Sequence, residues 1–293
     1  TGSIEAASKL IESSACIARA AASASTPSVL VAGSVGSYGA CLAGGQEYSG
    51  QYLLPSTEST SKGTEDTALP AHVSPEWLSA WHLPRLEALQ RGGCDLLACE
   101  TLPCVGEITA IAAALDCMDG GAALPVWVSM TLRDETHCAS GEPIGDAAAA
   151  AVRSFGRRLL AFGVNCCAPH LVQGALAEIK HALKKCDPDV CIAQYPSGAA
   201  ALQGFTAAAA AVREGDTDGR HTVHLLAYPN AGEHWNSCSR TWETVAGGPH
   251  GTPSEAGWGA LHGAWLAEGA TLLGGCCRCG PDSIKRISAL LEA

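Results

Sequence analysis

The chain has 293 residues, long enough for one α/β barrel or for two smaller domains. Hydrophobic residues make up 47% and charged residues 16%, and the formal net charge of −11 argues against nucleic acid or an anionic membrane as the main partner. No apolar run reaches the roughly 18–20 residues of a spanning helix and no signal peptide is expected. The 15 cysteines, an odd count in a long chain, therefore predict a reducing, cytoplasmic setting rather than a disulfide framework.

In chain order, residues 3–22 place Ile4, Ala7, Ile11, Ala15, Ala18 and Ala22 on one side of a helix. Residues 28–33 form a short apolar run ending in glycine, which predicts a buried parallel strand. Residues 44–71 are polar and rich in Ser, Thr and Gly, an excursion from the scaffold. Ser74 as cap and Pro75 in the first turn start a helix that runs to about residue 90 and stops at Gly92-Gly93. Further strands are predicted over 95–100, 125–130, 159–164, 223–228 and 270–273. Helices are predicted over 107–115, 146–155, 170–184, 257–268 and 283–291. Strands alternating with helices imply a parallel sheet with right-handed crossovers. The count is six strands, and no break in composition divides residues 1–293 into more than one domain. A second excursion, residues 187–221, has room for a short strand at 190–193 and an extra helix around its alanine run.

Cys16, Cys94, Cys117, Cys186, Cys191 and Cys238 read as small buried hydrophobes. Two other segments carry chemistry: Gly163-Val164-Asn165-Cys166, and Gly274-Gly275-Cys276-Cys277-Arg278 some 110 residues later. Together they offer three thiolates to one metal and leave a fourth position open. Catalytic zinc is bound in this way, whereas structural zinc is closed by four ligands. Soft thiolates favour zinc or copper(I) over magnesium or calcium. Cys166 follows one predicted strand and Cys276-Cys277 another. Glu100 ends a third, and Tyr228, Pro229 and Asn230 a fourth, and barrel enzymes build their sites at the C-terminal ends of strands. Adjacent strand residues face opposite ways, so Cys276 and Cys277 can share a metal only where the backbone leaves strand geometry, a departure that Gly274 and Gly275 ease. Cys276-Cys277 and Cys166-Cys167 also read as buried apolar pairs, and Cys279 would allow a four-thiolate structural site. His137, His170 and His262 lack partners at metal spacing and read as surface or core residues.

The segment Gly274-Gly275-Cys276-Cys277-Arg278, followed by Pro281 and Ile284, resembles the C-terminal signature of homocysteine S-methyltransferases, and Gly163-Val164-Asn165-Cys166 resembles that family's other zinc-ligand segment. The resemblance extends, in order, through residues 31–40, Glu47-Tyr48-Ser49-Gly50, Cys99-Glu100-Thr101 with Glu107, Val126-Trp127-Val128-Ser129, and Tyr228-Pro229-Asn230-Ala231-Gly232-Glu233. It implies a (βα)8 TIM-type barrel, Zn2+ held by Cys166, Cys276 and Cys277, and methyl transfer to homocysteine to form methionine. Small-molecule partners follow, homocysteine and a methyl donor. Glu100 is expected to hold the homocysteine ammonium, Asn165 to orient the site, and Tyr228 to line the donor pocket or simply to pack. Ser129 reads as scaffold. Arg278 resembles the S-methylmethionine-using branch more than the betaine-using one, with S-adenosylmethionine second and selenocysteine an alternative acceptor. A non-catalytic zinc- or thiol-binding barrel is a competing class, and a metal-dependent hydrolase ranks last. The family begins with a strand carrying Asp-Gly-Gly, a helix and a second strand. This sequence starts in the following helix, so that first strand-helix-strand is expected to be absent from it.

Overall fold

The computed structural model describes residues 3–24, 29–42, 44–53, 72–118, 124–195, 197–215, 220–236, 239, 241–243 and 253–292. Its elements are α1 (Ile4–Ser23), β1 (Ala32–Gly36), α2 (Tyr38–Cys41), α3 (Pro75–Arg91), β2 (Leu96–Leu102), α4 (Val105–Asp116), β3 (Val126–Met130), α5 (Ile144–Phe155) and β4 (Leu159–Asn165). They continue with α6 (Val172–Cys186), β5 (Val190–Ile192), α7 (Gly198–Glu214), β6 (His221–Tyr228), β7 (His234–Asn236), β8 (Thr241–Glu243), α8 (Glu255–Glu268), β9 (Ala270–Leu273) and α9 (Pro281–Glu292).

Ser74 caps α3 as expected, its Oγ accepting from the Trp77 amide, while α8 opens two residues before the expected 257, with Ser254 Oγ accepting from the Gly257 amide. The predicted stripe of α1 buries only in its second half, at Ala15 and Ala22, while Ile4 is 76% exposed. The first strand is shifted from residues 28–33. Val29 is half-exposed, and the carbonyl of Val31 receives the Asp95 and Leu96 amides, so the ladder with β2 opens at Ala32↔Leu96. The polar stretch Gly33-Ser34-Val35-Gly36 is therefore strand despite its composition. A Cβ at Gly33 would lie 3.1 Å from Leu89 and Cys94, which is why the second residue of the strand has none.

Six parallel strands run β1-β2-β3-β4-β6-β9, the six that the alternation predicted. Among the described residues no ladder joins β9 to β1. The excursion at 187–221 contributes β5 and α7, both as expected. The Ala193 amide donates to the Val223 carbonyl and the Gly274 amide to the Ala227 carbonyl. Alternate residues of a strand face one edge, so β5 and β9 occupy the same edge of β6, one after the other. Residues 54–71 of the first excursion lie outside the described residues. No helix among those described is long and apolar enough to cross a membrane.

The two sheet faces are filled differently. One packs Leu97, Cys99, Val128, Met130, Phe162, Val164 and Leu225 against the connecting helices. The other packs Leu96, Leu160, Ala161 and Leu226 against Phe205 and Ala209 of α7, so the alanine-rich helix covers the inner face near the strand starts. At that end Asp95 accepts the Val31 amide at 2.7 Å and pairs with Arg19 and Arg213, tying α1 and α7 to the start of β2. Cys94 is buried as expected, but Cys16, Cys117 and Cys186 are exposed, because they fall on the outer side of α1 and at the ends of α4 and α6. Cys191 is half-buried, and Cys238 lies outside the described residues.

Candidate metal and substrate site

The C-terminal ends of β2, β3, β4, β6 and β9 meet at one place. At β4, Cys166 has φ of 48°, a left-handed turn that takes its side chain off the strand. After β9 the chain descends beside the end of β6, with the Gly274 amide on the Ala227 carbonyl and the Cys276 amide on the Pro229 carbonyl at 2.8 Å. Gly274 and Gly275 do not supply the turn through positive φ, which falls on Arg278 (68°) instead. They supply space: a Cβ at Gly275 would lie 2.5 Å from Cys279 Cβ, and one at Gly274 3.2 Å from Tyr228 Cβ.

The sulfurs of Cys166, Cys276 and Cys277 lie within 4.8 Å of one another. Zinc–sulfur bonds of about 2.3 Å in a tetrahedron place the sulfurs about 3.8 Å apart. Cys166–Cys277 at 3.5 Å and Cys276–Cys277 at 3.9 Å match that spacing. Cys166 and Cys276 are joined as a disulfide with Cα atoms 5.6 Å apart, so reduction must precede ligation by both. With that bond reduced, the donor set fits a thiophilic metal. Burial pushes the Cys277 thiol up, so a cation is needed to deprotonate it at neutral pH. Cys167 is buried, its thiol pushed up to about 12, and it stands outside the set. Cys279 is also outside it, with Sγ directed at the Pro229 carbonyl at 3.7 Å.

A polar network lies beside the sulfurs. Asn165, 1% exposed, accepts the Thr101 amide at 2.8 Å and the Ser129 hydroxyl at 2.9 Å on Oδ1. Its Nδ2 donates to Thr101 Oγ1 at 2.7 Å and stands 3.9 Å from Cys276 Sγ. Tyr228 donates its hydroxyl to Glu100 Oε2 at 2.9 Å, and the Tyr228 hydroxyl oxygen is 2.5 Å from Ser129 Oγ and receives Trp127 Nε1–H at 3.2 Å. Ser34 donates to Glu100 Oε1 at 2.5 Å. Burial, and then the Glu100 charge, push the Tyr228 hydroxyl well up, which keeps it a neutral donor. All six expected site residues, Cys166, Cys276, Cys277, Glu100, Asn165 and Tyr228, are therefore brought together. Ser129, read as scaffold, joins Asn165 to Tyr228.

Sequence reasoning assigned no role to Ser34, Thr101 or Trp127. Their signal was membership of the family-resembling segments, which named no contact for them. It also gave none to Glu107, which is fully buried and accepts the Tyr38 amide at 2.6 Å, His82 Nε2 at 3.0 Å and the Tyr52 hydroxyl. This pins the segment after β1 against α4; within that segment Tyr48 lines a cavity of about 560 Å³ that reaches Cys166. Glu233 also lines it, and Arg278 is bonded twice to Glu233 at 2.7 and 3.2 Å. His170 lines the cavity, His262 is buried against Trp258, and His137 bonds Asp134.

A family model described as homocysteine S-methyltransferase matches residues 1–291. The homocysteine S-methyltransferase of Escherichia coli K12 is 34% identical over 261 residues, 89% of this chain and 62% of that protein. Homocysteine S-methyltransferase 4 of Zea mays is 32% identical over 268 residues, 91% of this chain and 60% of that protein. The chain thus spans a little over three-fifths of the length of these curated relatives. Among solved structures, the metallated form of the E. coli homocysteine methyltransferase MmuM superposes with a TM-score of 0.64 at 30% identity, over 99% of this chain and 73% of that one. The oxidised form of the same protein gives 0.62 at 31%, with the same coverage. The parallel strands and outer helices are thus of the TIM-barrel type, and with its thiolate-bearing strand ends the chain belongs to the homocysteine S-methyltransferase family.

Proposed function

We propose that this chain transfers a methyl group from a sulfonium, S-methylmethionine first and S-adenosylmethionine second, to the thiol of homocysteine, forming methionine, with zinc held by Cys166, Cys276 and Cys277. The observation that carries the reading is the cluster of three cysteine sulfurs within 4.8 Å of one another, two of whose separations match tetrahedral spacing, beside an oriented, half-buried carboxylate. A free thiol with a pKa near 8.5 is mostly neutral at pH 7, and zinc bound here would hold the acceptor sulfur as thiolate. Three protein thiolates with a divalent cation leave a charge of about −1 on the site, which keeps that sulfur electron-rich.

The chain's own groups then bind and orient. Glu100, aimed by Ser34 and Tyr228, receives the homocysteine ammonium. Asn165 fixes Thr101 and so the end of the strand that carries Glu100. Held in line, the acceptor sulfur forms its bond to the methyl carbon as the donor's carbon–sulfur bond breaks, and the donor leaves as a neutral thioether. Three thiolates suit this reaction better than activation of water, for which histidine and carboxylate ligands are the usual set. The need for reduced Cys166 and Cys276 suits a cytoplasmic setting. The test is methionine formation by reduced, zinc-loaded protein from homocysteine, offered S-methylmethionine, S-adenosylmethionine or betaine in parallel. Product with a sulfonium and none with betaine supports the reading, and no product from any of the three overturns it.

A further inference from the structure

The cavity of about 560 Å³ beside Cys166 lies within the size range of small-molecule sites. Its lining includes Trp235 and Trp242, whose rings sit 5.4 Å apart and 53° inclined. They come from the two strands of one antiparallel hairpin, β7 and β8, where Trp235 pairs with Trp242 directly. Tyr48 lines the same cavity. The hairpin itself is fastened by Asn236 Nδ2 to Glu243 Oε1 at 2.8 Å.

The two indoles, Trp235 and Trp242, are each half-buried. Their electron-rich faces are suited to a cation that has shed much of its water, and indole is the best of the aromatic partners for one. The residues that face the acceptor side of the sulfurs are of the opposite kind: Glu100, Ser34, Ser129, Tyr228 and Asn165, a carboxylate among hydrogen-bonding groups. The thiol site thus has a polar pocket on one side and an aromatic one on the other.

We propose that Trp235 and Trp242, with Tyr48, bind the sulfonium centre of the methyl donor. The inference rests on the methyl-transfer reading and adds to it where the donor sits and what selects it. A positively charged donor gains attraction from the rings that its product loses, because the thioether left after transfer is neutral. The same wall that holds the donor then releases the product.

The test is titration calorimetry on the reduced, zinc-loaded chain without homocysteine, using S-methylmethionine and its neutral counterpart methionine as probes. S-Methylmethionine should bind about tenfold more tightly than methionine, the size of one partly desolvated cation–π contact. Trp242→Leu and Trp235→Leu should each remove most of that preference, and Trp242→Phe should keep part of it. Homocysteine binding should change less than twofold in all three. Equal affinity for the two probes in the unsubstituted protein overturns the inference, whatever the variants do. An unchanged preference in the leucine variants overturns it as well. Selective sulfonium binding with no transfer to homocysteine would overturn the reaction but not the pocket. Transfer with an unaltered donor KM in the double leucine variant would overturn the pocket but not the reaction.

Discussion

Asn165→Ala takes out the residue on which the site's two halves converge. The side chain is 1% exposed and makes three hydrogen bonds of 2.7–2.9 Å, two to Thr101 and one to Ser129. A buried hydrogen bond contributes about 1 kcal/mol net, and a stranded buried donor costs about 1–3 kcal/mol. Ser129 retains its contact with Tyr228, but the Thr101 amide loses its partner. Thr101 also holds φ at 58°, a left-handed geometry that costs a residue with a Cβ about 1–2 kcal/mol. With Asn165 gone, residue 101 relaxes toward an extended backbone, and Glu100 turns with it. The expected loss is about 3 kcal/mol in urea unfolding, the sum of these bonds. Zinc stoichiometry should be unchanged, because the sulfurs are untouched, and KM for homocysteine should rise at least about tenfold, one charge-assisted contact. Asn165→Asp, which keeps both acceptor bonds, should lose about 1 kcal/mol. A loss below about 1 kcal/mol in Asn165→Ala together with an unchanged KM would refute the argument.

His224 sets a pH dependence. It is 1% exposed, stacks on Tyr195, and bonds Thr271 through Nδ1, and burial lowers its pKa from 6.5 to about 4. The unfolded chain takes up the proton first, so the stability tied to neutral His224 is intact above about pH 6.5 and lost as pH falls toward about 4, a change of roughly 3 kcal/mol. Denaturant unfolding at pH 7 and pH 4.5 should show this slope, and His224→Asn should flatten it; equal slopes would contradict the assignment. Gly163 tests the sheet: a Cβ there would overlap the Leu226 backbone carbonyl of the paired strand, so Gly163→Ala should cost about 3 kcal/mol or more, and a folded variant of ordinary stability would show the β4–β6 pairing to be wrong.

Much of this was legible in the chain. The six barrel strands are short apolar runs between helix signals, and a run such as Leu159-Leu160-Ala161-Phe162 has few other places to go than a sheet buried on both faces. The three site cysteines were legible because all sit just past predicted strands, where parallel topology forces convergence. What escaped depends on register or on packing partners. That Asn165 bonds Thr101 and Ser129 follows from which strand lies beside which and at what offset, which no single segment encodes. The alanine run announced α7 but not the sheet face it would cover, because alanines fit either. The β7–β8 hairpin was missed because three-residue strands carry no measurable alternation. The role of Gly274 and Gly275 was read as conformational freedom when it is clearance for Tyr228 and Cys279.

The central claim is that Cys166, Cys276 and Cys277 hold one metal with a position left for the acceptor sulfur. X-ray absorption at the zinc edge of the reduced, zinc-loaded chain measures this directly. Three sulfur neighbours at about 2.3 Å without homocysteine, four with it, and two in Cys276→Ser are the predicted result. A first shell made mainly of nitrogen or oxygen, or a sulfur count that homocysteine leaves unchanged, would contradict it.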